Sequence, residues 1–200
     1  MNFELFFPVT LSGRWHNAND SFLDKNLKSW LLDPTSLTSR LKSNCHQFRV
    51  ELLGQTLEHC HENEAVELIP VGEKVLVREV LLYCDNKPQV FARSLLPLSS
   101  LTGEEQVLAD LGTQSLGQVI FNNPSLKRQT IEVAAFDENT GVSIFAKKLL
   151  ARESFISPDK LWGRRSIFIL AGKPLMVAEV FLPGAFAYNA LDKGINNDAK

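Results

Sequence analysis

The sequence predicts an α+β fold built on an antiparallel sheet, and three observations predict it. Two stretches, Lys74 to Leu96 and Arg165 to Leu182, each read as an apolar strand, a turn and a second apolar strand. Short amphipathic segments with helix-capping residues lie before and between them. No strand–helix–strand rhythm of the kind that builds a parallel sheet runs through the chain.

The chain has 200 residues, 44% hydrophobic and 22% charged, which suits a single core of ordinary globular composition. A formal net charge of −2 excludes the basic footprint of a nucleic-acid binder. No run of 18 apolar residues predicts a membrane span. The opening MNFELFFPVTL carries an early acid, Glu4, and no basic segment before its short apolar stretch, so it does not read as a signal peptide. Three scattered cysteines, Cys45, Cys60 and Cys84, suit a reducing cytoplasm better than a disulfide framework.

The elements follow in order. The first 20 residues show no period and read as an arm or an edge element. Ser21 to Leu32 reads as a helix with a stripe of Phe22, Leu23, Leu27, Trp30 and Leu31, ended by Asp33-Pro34. Ser36 can cap a second short helix through Leu37 and Leu41. Phe48 to Leu57 reads as a strand, and Glu58 to Pro70 as a polar surface connection. The strand from Lys74 to Cys84 turns through Asp85-Asn86-Lys87-Pro88 and returns from Gln89 to Leu96. Thr102 and Glu105 form a capping-box pattern for a helix that runs to Leu111 and stops at Gly112. Ser115 to Phe121 reads as another short helix, and the pair is a candidate lid on the sheet. Arg128 to Phe136 reads as a strand, and Val142 to Ala146, after the turn Asp137 to Gly141, as a segment pairing back. The second hairpin turns at Ala171-Gly172-Lys173-Pro174. A shift of 86 residues lays the first hairpin on it, with Lys87-Pro88 on Lys173-Pro174, Arg93 on Glu179 and Arg78 on Arg164.

Charges embedded in these strands are the informative residues. Side chains two apart share a face of a strand. Arg78 shares its face with Leu76, Val80 and Leu82, and Glu179 with Leu175, Val177 and Phe181. Arg93 lies between Phe91 and Leu95. A lone charge buried there costs several kcal/mol, so each needs a partner. Two readings stay open: a structural ion pair of Arg78 or Arg93 with Glu179, and a buried pocket for an anionic ligand whose carboxylate meets the planar fork of arginine. Glu79, on the opposite face from Arg78, reads as one side of a cross-strand salt bridge. Cys45-His46 and His59-Cys60-His61 are zinc-ligand types, but their spacing fits no standard finger, so no metal site is expected. The chain has no GxSxG, Walker loop or GxGxxG.

Trp30-Leu31-Leu32-Asp33 with Ser36-Leu37-Thr38 and Arg40, then Arg78-Glu79-Val80-Leu81-Leu82, then Ala92-Arg93-Ser94 with Leu96-Pro97, resemble segments of the chorismate pyruvate-lyase family. So do Leu116-Gly117 with Phe121, Trp162-Gly163-Arg164-Arg165-Ser166, and Gly172-Lys173-Pro174-Leu175 through Glu179-Val180-Phe181-Leu182-Pro183. Order and spacing hold across residues 25 to 183. The resemblance implies an antiparallel sheet of about six strands flanked by helices, with helical flaps over a buried ligand pocket. It implies an arm at 1–20, a domain at 21–183 with an added segment at 133–160, and a flexible tail at 184–200. It further implies a cofactor-free lyase that converts chorismate to 4-hydroxybenzoate and pyruvate on the way to ubiquinone, working as a cytoplasmic monomer without nucleic-acid or membrane partners. Arg78 then looks like the carboxylate anchor and Glu179 like the group that meets the 4-hydroxyl. Leu37 and Leu116 would line the pocket, and Arg93 is expected as a second anion contact. The alternative is a non-catalytic small-molecule sensor, since the ligand-binding domains of some bacterial transcription regulators resemble this fold. The roughly 20 weakly structured residues before the first matched helix are too few for a DNA-binding segment, which favours the enzyme.

Overall fold

The computed structural model describes residues 7–17, 23–151 and 158–189. Ser21 and Phe22, the start of the first expected helix, lie outside the described residues, as do 190–200 of the expected tail. Seven strands form one antiparallel sheet: β1 (His16–Asn17), β2 (Phe48–His59), β3 (Lys74–Cys84), β4 (Lys87–Pro97), β5 (Lys127–Phe136), β6 (Leu161–Leu170) and β7 (Lys173–Phe181). Their order is β1-β5-β6-β7-β4-β3-β2. Among the described residues four short α-helices accompany them: α1 (Lys25–Leu31), α2 (Leu37–Ser43), α3 (Leu116–Phe121) and α4 (Gly141–Leu149). The α+β architecture stands as expected, with one strand more than the resemblance implies.

The two central hairpins turn tightly. Asp85 and Asn86 both have positive φ (48° and 63°), and so do Ala171 and Gly172 (49° and 81°). Two left-handed residues in succession suit the right-handed twist of a hairpin. The turns are therefore two residues long, and Lys87-Pro88 and Lys173-Pro174 begin the return strands. Because β4 pairs with β7, the two hairpins lie side by side with their first strands, β3 and β6, on the outside.

Caps set the helix starts. The Asp24 carboxylate accepts the N–H groups of Asn26 and Leu27, Ser36 Oγ accepts that of Ser39, and Ser115 Oγ accepts that of Gln118. The expected capping box at Thr102 is not made: its side chain caps nothing, and Glu105 instead takes Lys173 Nζ at 2.6 Å. Gly103–Asp110 accordingly winds as a 3-10 helix.

The segment Val142 to Ala146 corrects the expected strand, because it lies inside α4. Val142, Phe145 and Ala146 are buried at helical spacing, and the Phe145 ring packs against Phe91 with centroids 5.5 Å apart and planes tilted by 58°. The expected arm and tail are also partly structured. Val9 and Leu11 belong to the core, and Phe186–Tyr188 docks on α1, where Asn26 Nδ2 donates to the carbonyls of Phe186, Ala187 and Asn189.

Each face of the sheet has its own cover. Residues 9–11, α4 and the 60–69 connection cover one face, over Leu81, Phe91, Val180, Val77 and Met176. The other face carries two separate apolar clusters. One joins α1 and α2 to Val80, Leu82, Val90 and Phe181; the second joins the 3-10 helix and α3 to Leu76, Leu96, Phe168 and Leu175. The residues between these clusters are polar.

Candidate active site

Register defines this polar row. Arg78 pairs across with Ser94, Ser94 with Val177, and Val177 with Ser166. One step along, Ala92 pairs with Glu179 and Glu179 with Arg164. Cross-strand partners share a face, so Arg78, Ser94, Ser166, Glu179 and Arg164 all point to the helix-covered side. Arg128, paired with Phe168 on β5, joins them.

Arg78 is 1% exposed and has no carboxylate partner among the described residues. Its Nη2 donates to the carbonyls of Gly112 and Gln114, both at 2.9 Å, in the connection leading to α3. Its Nε is buried without a hydrogen-bond partner. Burial pushes its proton affinity down, to a pKa of about 10. A desolvated cation held only by carbonyls favours an anion beside it.

Glu179 is half committed. Arg164 Nε donates to Glu179 Oε2 at 2.7 Å, and Arg164 Nη1 donates to the carbonyls of Asp33 at 2.8 Å and Trp30 at 3.3 Å. The other carboxylate oxygen, Oε1, has no protein partner among the described residues. Leu37 and Leu116 are both buried and open α2 and α3, on either side of the polar row. Thr38 Oγ1 and Ser115 Oγ lie 2.6 Å apart, tying the two helix starts together. Gly117 permits this approach, since a Cβ there would sit 3.1 Å from Thr38 Oγ1.

Three buried side-chain polar atoms lack a partner among the described residues: Arg78 Nε, Arg128 Nε and Ser166 Oγ. All three lie on this one face. Buried polar groups are nearly always satisfied, so their clustering makes this face the candidate place for a polar ligand or bound water.

Arg93 corrects the expectation. It pairs across with Glu79, so it faces the opposite cover. There it binds Glu64 bidentately, Nε to Oε1 at 2.6 Å and Nη2 to Oε2 at 2.8 Å, and donates Nη1 to Glu79 Oε1 at 2.6 Å. The register of β3 and β4 shifts at Leu82/Tyr83, leaving Gln89 out of the ladder. That bulge offsets β4 by one residue against β7, so the 86-residue shift superposes Arg93 on Glu179 in sequence but not in side-chain direction. The Glu79 salt bridge is as expected.

A family model described as chorismate lyase matches residues 11–190. This chain belongs to the chorismate lyase family. A protein of Psychromonas ingrahamii named as a probable chorismate pyruvate-lyase is 42% identical over 183 residues, 90% of this chain and 96% of its own. One of Pseudoalteromonas translucida with the same name is 41% identical, covering 91% and 98%. Among solved structures, PhnF from Mycobacterium smegmatis superposes with a TM-score of 0.51 at 19% identity, over 76% of this chain and 65% of that one. That likeness shows the fold alone.

Within this chorismate lyase family chain, sequence reasoning missed two arginines of the site. Arg164 stood out as the hairpin counterpart of Arg78 and within a segment of the family resemblance, with no site role, and Arg128 only as the start of a strand. The signal for Arg164 was present, a charge on the same strand face as Trp162 and Phe168. Cys45-His46 and His59-Cys60-His61 flank opposite ends of β2, whose 12 residues span about 40 Å at about 3.3 Å each. No helix among the described residues is long and apolar enough to cross a membrane.

Proposed function

We propose that this protein is a chorismate pyruvate-lyase whose active site is the polar row between the two apolar clusters. The observation that carries the reading is the unpaired Nε of buried Arg78 on the same face as half-committed Glu179. Family membership supplies the substrate.

Chorismate is a dianion with an enolpyruvyl ether next to a ring carbon that bears a hydroxyl. In the reaction the ring C–O bond to the enolpyruvyl oxygen breaks and the hydrogen on the hydroxyl-bearing carbon leaves. The enolpyruvate gains a proton at its methylene to become pyruvate. The ring becomes aromatic, which drives the reaction. In this reading Arg78 holds the ring carboxylate, and Glu179 takes the 4-hydroxyl through Oε1 while Arg164 fixes its other oxygen. Leu37 and Leu116 exclude water, with α3 and the preceding 3-10 helix as flaps. Orientation in a dry site and positive charge fixed in advance near the departing enolpyruvate lower the barrier without a cofactor. The enzyme acts as a cytoplasmic monomer and supplies 4-hydroxybenzoate toward ubiquinone.

The test is incubation of purified protein with chorismate and a chelator, following 4-hydroxybenzoate by chromatography and pyruvate by coupled assay. Equimolar products are expected. No turnover, or turnover only on adding metal, overturns the reading; tight 4-hydroxybenzoate binding without turnover favours a sensor.

A further inference from the structure

We propose that Arg128 anchors the second carboxylate of the substrate, the one on the enolpyruvyl group. The inference rests on the chorismate reading and goes one step beyond it. With the ring carboxylate on Arg78 and the 4-hydroxyl on Glu179, the enolpyruvyl ether leaves the ring at the carbon beside the hydroxyl. Its carboxylate therefore projects at the Glu179 end, away from Arg78, and must be met by a cation there.

Arg93 is excluded because it faces the other side of the sheet, bound to Glu64 and Glu79. Arg165 pairs with Ala178 and is bound to Glu132 on that other side. Arg164 is on the right face, but its Nε is committed to Glu179 and its Nη1 to the carbonyls of Trp30 and Asp33, so its charge is already paired. Arg128 remains. It stands on the far side of Glu179 from Arg78, in the strand order β5, β6, β7, β4, β3.

Its surroundings suit an anion. Nη1 donates to the carbonyl of Asp33 at 3.0 Å and Nη2 to that of Thr35 at 3.4 Å, which holds the guanidinium against the α1–α2 connection. The rings of Phe168 and Phe121 lie 4.8 and 5.4 Å from its central carbon. Nε is buried and unpartnered, and no carboxylate pairs with Arg128 among the described residues. Burial, then the nearby Arg164 cation, push its pKa down to about 10. An arriving carboxylate would satisfy Nε and relieve that repulsion. As the ether bond breaks, the same cation faces the negative charge that grows on the departing enolpyruvate.

This role separates substrate from product, because 4-hydroxybenzoate lacks the second carboxylate. Full-length wild type, Arg128→Met and Arg128→Lys are assayed for kcat/KM with chorismate, Kd for 4-hydroxybenzoate, and melting temperature. For Arg128→Met the expected result is a kcat/KM loss of at least about thirtyfold, the lower range for truncating one side of a buried charge pair. Its product Kd is expected to stay within about threefold of wild type, well under that charge-pair loss. Arg128→Lys keeps the charge and most of the packing, and should recover part of the loss. Unchanged kcat/KM in Arg128→Met, or an equal fall in product affinity and kcat/KM, overturns the assignment while leaving the lyase reading intact. Absence of chorismate turnover in wild type overturns both.

Discussion

Arg164 Nε meets Glu179 Oε2 at 2.7 Å, while Oε1 of the same carboxylate has no partner among the described residues. The sequence offered Arg78 or Arg93 as an ion-pair partner for Glu179; the partner is Arg164 instead. Arg164 neutralises Glu179 and ties it to the α1–α2 connection through Asp33 and Trp30. In the lyase reading the other oxygen takes the substrate hydroxyl.

Glu179→Gln should therefore lower turnover more than it weakens product binding. The amide keeps the shape and a hydrogen bond to the hydroxyl, but removes the negative charge beside the reacting carbon. Steady-state kinetics with chorismate alongside 4-hydroxybenzoate titration gives the comparison. Wild-type turnover in folded Glu179→Gln would remove Glu179 from the catalytic groups.

Arg78→Met should leave the melting temperature unchanged or raise it. Arg78 is buried and, among the described residues, has no carboxylate partner and an unpaired Nε, so its desolvation is poorly offset. Replacing an unpaired buried charge with an apolar side chain relieves that cost, the usual sign of a residue kept for function. A drop of several degrees, equivalent to about 1 kcal/mol or more, would mark Arg78 as structural.

Binding at Arg78 has a defined pH limit. Burial lowers its pKa to about 10, and a bound carboxylate needs the charged form. Benzoate, which has no phenol to titrate, should bind with constant affinity below that pH. Above it, affinity should fall toward a limit of about tenfold per pH unit. Tryptophan fluorescence titration reads this directly. A flat profile through about pH 11, one unit past the lowered pKa, would show that burial lowers the Arg78 pKa less than this, and Arg78→Met then decides whether Arg78 is the anchor.

Glu79 predicts a stability slope on the opposite face. Burial raises its pKa to about 7, against the lowering effects of the Val9 N–H and Arg93. The folded value lies above the unfolded one, so between about pH 4.5 and about pH 7 the folded state holds more protons. This group's contribution is therefore full below about pH 4.5 and is lost as pH rises through about 7. Urea melts of wild type and Glu79→Gln should differ in slope across that window; parallel curves would contradict the assignment.

Much of this was legible in the sequence. Apolar runs bounded by turn residues located both hairpins, and charges within them located Arg78 and Glu179. What the sequence hid is register. Arg164 reaches Glu179 because the two-residue turn of the second hairpin sets residue 164 opposite residue 179, and Arg93 turns away because Gln89 is bulged out of the ladder. Neither register can be read from the apolar pattern alone. The strand expected at 142–146 was a different failure. Val142, Phe145 and Ala146 stand at i, i+3 and i+4, a helical spacing that a five-residue apolar segment obscured.

The central claim is that the ligand lies on the Arg78 face of the sheet and not on the Arg93 face. Titration of 4-hydroxybenzoate into wild type, Arg78→Met and the folded fraction of Arg93→Met tests it most directly. Arg78→Met should lose about 2–5 kcal/mol of binding, the usual cost of truncating a buried charge pair. Arg93→Met strands Glu64 and Glu79, so it should lose about 3–5 kcal/mol of stability, yet bind product as wild type does wherever it is folded. Product binding that survives in Arg78→Met and is lost in folded Arg93→Met would put the site on the other face and contradict the account.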